Sequence, residues 1–391
     1  MGTALFIIGI ILFIGLVIIH ELGHFLVAKR NGVEPEEFGV FFPPRIWKKK
    51  MKGGWVLSIN ALPLGGFVKL KGEHDSDTEK GSFGAASDWV KAKIMLAGVG
   101  LNLLTAYLLF MILAWVGIPN IPALIDNQFT VKSDTSVVSA SALAGYVEEG
   151  SPAAKAGLQR LDDIKKISNG DKTVVIGEVP LSEATKQFAG QTAVLSYERQ
   201  GAERTTKVTL LDTTTVEASR KTDNPKGYLG IVPFEYQIQR STWSAPVVAA
   251  GLTVQMTKLT LAGLWNAVQG LGGIIAGVVT GNTEARQSAQ TEASSQVSGP
   301  IGIFMVLKEM GSLGVPFMLF VIAIISLTLA IMNVLPIPAL DGGRLYMMLA
   351  SRLTKAKRLT PSMEESIVGW SFIGLLALIV LITFVDVKRF F

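Results

Sequence analysis

Two histidines four residues apart, with a glutamate beside the first, carry the strongest chemical signal in the sequence: His20-Glu21-Leu22-Gly23-His24. On a helix, positions i and i+4 lie one turn apart on one face. Two imidazoles there can hold one zinc ion at about 2.0–2.1 Å. A carboxylate next to them can take a proton from a water that such a metal acidifies. A zinc used for catalysis takes three protein ligands and keeps one position open. The chain has three histidines and no cysteine, so thiolate ligands, disulfides and cysteine nucleophiles are excluded. Residue 30 is an arginine, so the extended motif with a third downstream histidine is absent. His74 lies in a polar stretch and reads as a solvated surface residue. The better third ligand is Asp341, in the run from Asn333 through Pro336, Pro338 and Leu340 to Asp341-Gly342-Gly343. Its alternative role is to cap a following helix. Asn102 and Asn333 also sit in apolar runs. Each either donates to a scissile carbonyl or substrate backbone or binds helices together.

These residues need elements to hold them. The chain has 391 residues, 49% hydrophobic, and only 17% charged, against about 25% in ordinary soluble proteins. That deficit, with a positive mean hydropathy, points to a membrane protein. Four apolar stretches are long enough to span a bilayer as helices: about Thr3–Ala28, Ile94–Gly117, Val315–Leu335 and Ile367–Val385. The first lacks a basic start and a small-residue cleavage site, and its second half carries His20, Glu21 and His24, so it reads as a retained helix. Burying those polar groups in lipid costs several kcal/mol unless they are used or paired.

Basic residues cluster after the first span (Lys29, Arg30, Arg45, Lys48, Lys49, Lys50, Lys52) and after the third (Arg344, Arg352, Lys355, Lys357, Arg358). The positive-inside rule places both stretches in the cytoplasm. His24 and Asp341 then lie near the cytoplasmic ends of their helices, at similar depth. Pro336 and Pro338 break the helix ahead of Asp341, which is tolerated at membrane depth where the backbone lines a polar cavity. Phe38–Leu70 has turn signals at Pro43-Pro44, Gly53-Gly54 and Gly65-Gly66 and reads as short hairpins on the inner membrane face. Ser139–Asp212 reads as a soluble α+β domain facing outward, followed by a linker at Asp212–Lys226, with a further strand at Tyr228–Pro233. Thr242–Gly281 is apolar but interrupted by Gln255, Lys258, Asn266 and Gln269; an amphipathic surface helix is one reading. A fifth crossing there would put Asp341 on the side opposite His20 and His24. Asn282–Ser298 reads as a polar loop.

Taken together these residues resemble the site-2 protease family, and within it the bacterial RseP-like intramembrane zinc proteases. The resemblance rests on His20-Glu21-Leu22-Gly23-His24, on Asn333 through Leu340-Asp341-Gly342, and on Ser298-Gly299-Pro300-Ile301-Gly302, in order along nearly the whole chain. It implies Zn2+ on His20, His24 and Asp341 and Glu21 as the catalytic base; Asn102 and Asn333 remain the candidate substrate-binding or oxyanion groups from the reading of the residues themselves. It also implies a membrane-associated β element within Phe38–Leu70 that holds substrate as an added strand. The family's second core helix usually has a proline in Gly-Pro-x-x-Asn; here the run is Gly98-Val99-Gly100-Leu101-Asn102, which puts a kink there in doubt.

The outward domain resembles a PDZ domain through Gly145-Tyr146-Val147, Gly150-Ser151-Pro152 to Gly157-Leu158, Asp162-Asp163-Ile164 and Ile167-Ser168-Asn169-Gly170. The expected fold is therefore a polytopic α-helical membrane protein with four transmembrane helices, a membrane-associated β element and an inserted extracytoplasmic PDZ-like α+β domain. Its expected parts are 1–138 (membrane), 139–235 (PDZ-like domain and linker), 236–298 (amphipathic region and loop) and 299–391 (membrane). The expected location is the bacterial inner (plasma) membrane. The expected partners are the lipid bilayer and a transmembrane peptide of anti-sigma-factor or remnant-signal-peptide type, with no nucleic acid. A transporter or ion-binding protein using the same His, Glu and Asp residues is the alternative, and a scaffold with a PDZ-like domain is a third.

Overall fold

The computed structural model describes residues 2–73, 77–122, 124–170, 172–199, 201–222, 224–280, 299–353 and 360–390. His74, Ser298, the segment read as a polar loop from residue 282, Lys355, Lys357 and Arg358 lie outside them. The chain divides into two compact units, Met1–Ile112 with Ala249–Phe391, and Leu113–Val248.

The first unit opens with α1 (Gly2–Arg30), apolar on every face until His20 and closed by Lys29 and Arg30 in its last turn. Two long strands follow, β1 (Pro35–Lys50) and β2 (Val56–Leu70). The short hairpins expected here are one antiparallel pair folded back on itself. Phe38 pairs with both Val68 and Leu57, and Gly39 with both Phe67 and Ser58, while Lys48 also pairs with Ser58. The stretch 37–40 therefore lies between two stretches of β2, and the stretch 66–70 forms an outer edge. The turn signals mark register shifts inside the strands, around Val40, Phe42 and Arg45, because Pro and Gly interrupt a ladder without ending it.

Helices α2 (Asp88–Met95) and α3 (Ala97–Val116) come next; Ser87 caps α2 by accepting from Val90 N. After the inserted unit come α7 (Ala245–Thr280), α8 (Pro300–Leu313), α9 (Val315–Val334), α10 (Asp341–Leu353) and α11 (Pro361–Phe390). Five helices among the described residues are long and apolar enough to cross a membrane: Thr3–Arg30, Ala97–Val116, Ala245–Gly270, Val315–Val334 and Ser362–Lys388. The fifth beyond the expected four is α7. At 100° per residue its Gln255, Lys258, Asn266 and Gln269 fall on one side of the helix, a polar stripe on an otherwise apolar rod.

α1 packs on α8 and α9 through buried Leu16, Leu307, Met318 and Ile322. Phe6 meets Phe304 edge to face at 4.6 Å. A second buried cluster gathers Ala28, Val33, Leu70, Phe83, Ile94, Met95 and Met348. It joins the end of α1, the end of β2, α2 and α10. Asp386 of α11 is buried and accepts from Gly302 N at 2.8 Å, capping α8, whose own Gly299 has no side chain to do so.

The second unit is an antiparallel sheet with α4 (Pro152–Lys155), α5 (Leu181–Lys186) and α6 (Thr213–Ser219). Its strands are β3 (Ile118–Asn120), β4 (Ser136–Val147), β5 (Asp163–Asn169), β6 (Lys172–Val175), β7 (Thr192–Arg199), β8 (Ala202–Thr209) and β9 (Ile231–Arg240). They lie in the order β3-β9-β4-β5-β7-β8, with β6 on β5. Its core gathers Ile164, Ile167, Leu181, Phe188, Leu195, Val208 and Leu229. Two expectations change here. The segment read as a linker contains α6, because Asp212 accepts from Thr215 N and Val216 is buried; an N-cap and one apolar anchor suffice for a short helix. The last strand starts at Ile231 and runs to Arg240, since its full length pairs with β4.

Candidate metal centre

α1 presents His20 and His24 on one face, and both are buried. Their Nε2 atoms are 3.2 Å apart. Asp341, the first residue of α10, brings Oδ2 to 3.1 Å from His20 Nε2 and 3.2 Å from His24 Nε2. Three donor atoms from two distant segments thus form a nearly equilateral triangle, the one group of three such residues within reach of one ion among the described residues. Donors at zinc distances around a tetrahedral ion stand about 3.3 Å from one another, so the triangle fits. Asp341 Oδ2 is buried and has no well-directed hydrogen bond, as expected of an atom aimed at a shared centre and not at either imidazole. The donor set, two imidazoles and a carboxylate, is that of a catalytic zinc site with a position left for water.

The second layer is built by helix contacts. His24 Nδ1 lies 2.8 Å from the carbonyl of Ile94, at the end of α2. A carbonyl only accepts, so Nδ1 carries the proton and Nε2 keeps its lone pair toward the triangle. Asn102, fully buried on α3, places its side-chain nitrogen 3.4 Å from His20 Nδ1, while its own oxygen has no partner. Exchanging the amide's two ends sets that oxygen against an Nδ1 proton and satisfies both groups. Ser326 of α9 holds the Asn102 backbone carbonyl at 2.8 Å. Asn102 thus stands behind His20. Asn333, on the last turn of α9, donates to Leu329 O at 2.9 Å and makes no hydrogen bond to the three donor residues.

Glycines permit the crowding. A Cβ on Gly98 would sit 2.5 Å from His24 Nε2 and 2.6 Å from His20 Cε1. One on Gly23 would meet the Ala97 carbonyl at 2.6 Å. Gly342 and Gly343 would meet the carbonyls of Val334 and Ile337 at 2.3 and 2.0 Å, so the broken backbone ahead of Asp341 folds tightly onto the start of α10. The approach of α3 to α1 therefore rests on Gly98, with no proline beside it. Ile94 O has no signature in the motifs, and Gly23 and Gly98 stand in them without their packing role being apparent. A glycine within an apolar helical run is the signal that could have found the last two.

Glu21 lies beside the three donor residues and against the outer edge of β2. The Val68 backbone amide points at its carboxylate, and a Cβ on Gly66 would lie 3.0 Å from Glu21 Cγ. A carboxylate, the donor triangle and the outer edge of β2 therefore share one layer of the molecule.

A model of peptidase family M50 matches residues 8–381. A candidate zinc metalloprotease of Clostridium acetobutylicum is 29% identical over 387 residues, covering 98% of this chain and 96% of the relative. One of Fusobacterium nucleatum is 26% identical and 99% of each chain is covered. The Bacillus subtilis protein named regulator of sigma-W protease RasP is 25% identical, with 98% of each covered.

Proposed function

The chain belongs to peptidase family M50, a zinc metalloprotease with several helices apolar enough to cross a membrane, and from that premise we propose that His20, His24 and Asp341 hold the zinc and Glu21 is the base of an intramembrane endopeptidase. The observation that carries this is the donor triangle of 3.1–3.2 Å next to a carboxylate that faces the outer edge of β2. When bound, zinc supplies Lewis acidity that acidifies water and polarises the scissile carbonyl. Glu21 takes the water's proton on a carboxylate oxygen and returns it to the leaving amide nitrogen. Ile94 O and Asn102 fix the two imidazoles so that Nε2 of each faces the ion. Asn333, one turn before the break in α9, is left to donate to substrate once it exchanges its Leu329 bond.

The substrate is a single-pass transmembrane peptide of anti-sigma-factor or remnant-signal-peptide type. The name of the Bacillus subtilis relative, with its reference to a sigma factor, supports the first. A helix hides its peptide bonds, so the substrate must be extended at the site; the outer edge of β2 offers the strand to pair with. The chain crosses the bacterial plasma membrane four times, with the metal centre toward the cytoplasm. The polar stripe of α7 supports its lying at the outer surface, which keeps Asp341 on the side of His20 and His24. The second unit is the extracytoplasmic PDZ-like domain that screens substrates.

The test is metal analysis and cleavage of a panel of transmembrane peptides by the purified protein. Wild type should carry about one zinc per chain and cut, and Asp341→Asn should lose both. Full zinc content and full activity in Asp341→Asn would remove it as a ligand.

A further inference from the structure

Only one side of the stretch 66–70 pairs with β1, so its other side faces outward. Side groups alternate along a strand, and so do the amides. Phe38 pairs with Val68 and Val40 with Gly66, and the Val68 amide faces Glu21. The outward amides are therefore those of Gly66, Val68 and Leu70. The third is already taken: Leu70 N donates to Glu73 Oε1 at 2.8 Å. Glu73 is held in turn by Arg344, whose Nη2 lies 3.5 Å from the Glu73 carbonyl and 4.0 Å from Glu73 Oε2. Arg344 stands three residues after Asp341 on α10. Immediately beyond Leu70 the chain is covered by its own backbone, with Phe83 N on Lys71 O at 2.8 Å and Gly84 N on Gly72 O at 2.9 Å.

We infer that Glu73 is a register stop: by occupying the Leu70 amide it leaves an added substrate strand the Gly66 amide and, once Glu21 gives it up, the Val68 amide, confines that strand to 66–68, and so sets which peptide bond lies opposite Glu21. This rests on the reading that substrate joins β2 as a strand. Arg344, on the helix that bears Asp341, lies beside the stop. Glu73 is a positioning residue that acts through the strand and not on the reacting atoms.

The absence of cysteine makes the test direct. Phe67→Cys is introduced with Glu21→Gln, which keeps substrate uncut, and oxidised with a series of transmembrane peptides each bearing one cysteine. Directly opposed residues on paired strands have Cβ atoms about 4.5–5.5 Å apart, so one peptide position should dominate the disulfide. Glu73→Ala should move that position, and in the active protein the cleaved bond read by mass spectrometry, by two residues, the smallest slip that keeps each side chain on its own face. Glu73→Gln keeps an acceptor for Leu70 N and should restore the original bond. An unchanged disulfide position and cleaved bond in Glu73→Ala would overturn the stop while leaving strand addition intact. A disulfide spread over all peptide positions with Glu73 present would overturn strand addition, and the stop with it.

Discussion

The metal-bearing unit and the inserted unit are held together by opposite means. In the first, the working layer is a crossing of backbones. Gly23 and Gly98 let α1 and α3 touch, and Gly342 and Gly343 let the broken end of α9 fold onto α10; side-chain volume there would displace the chemistry. In the second, volume is what holds. Ile164, Ile167 and Leu195 are wholly buried in a closed apolar core, and several of its glycines, such as Gly150 and Gly157, have open space around them. The difference predicts which substitutions strike function and which strike only folding.

The largest effect should come from the one change that leaves both structures alone. Glu21→Gln should lower cleavage of a transmembrane peptide by about 10²–10⁴-fold with zinc content unchanged, measured on the same sample. A wild-type rate would sink the assignment of Glu21. In the inserted unit, Leu195→Ala should cost about 2–5 kcal/mol in the unfolding of that unit, followed by hydrogen exchange, with zinc affinity unaltered. Loss of zinc in this variant would mean that the two units are not separable. Gly98→Ala sharpens the comparison from the other side. Its methyl would press on both imidazoles, and zinc affinity should fall about 10–100-fold, the range seen when the groups that orient metal-binding side chains are disturbed, while the apolar cores stay protected. Equal loss from Gly150→Ala would show that glycine substitution itself, not crowding of the rings, is responsible.

The smallest effect is one of pH and belongs to the inserted unit. Hydroxyls of Ser244 and Thr242, with their amides, hold Asp134 down at about 2. The Thr214 hydroxyl and then Thr215 do the same for Asp212. A depressed carboxylate contributes stability that is fully present above its ordinary value near 3.8 and is lost as pH falls through about 2. Both groups are exposed, so solvent screens the effect. Between pH 4 and 2 the wild-type unit should lose slightly more stability than a double Asp134→Asn, Asp212→Asn variant; parallel curves would show that these hydrogen bonds contribute nothing.

Spacing made part of this legible. His20, Glu21 and His24 need only the helical repeat, and Asp341 needs only the depth of two spans. What could not be read depends on how elements approach. The carbonyl of Ile94 behind His24 carries no sequence label. Asn102 could equally face substrate or a neighbouring helix, and its position at His20 follows from the closeness that Gly98 permits. The fold-back of β1 and β2 escaped because its turn residues sit at register shifts inside strands. The segment after Asp212 read as a linker because a two-turn helix with one buried anchor, Val216, leaves almost no periodicity to detect.

The donor triangle also bears on synthesis. His20 and His24 emerge in the first helix, whereas Asp341 follows only after both strands of the hairpin, the whole inserted unit and α9 have been made. Until Asp341 has been made, the chain offers only two of the three donors. The order of the segments therefore closes the triangle late, after the hairpin and the inserted unit have been made.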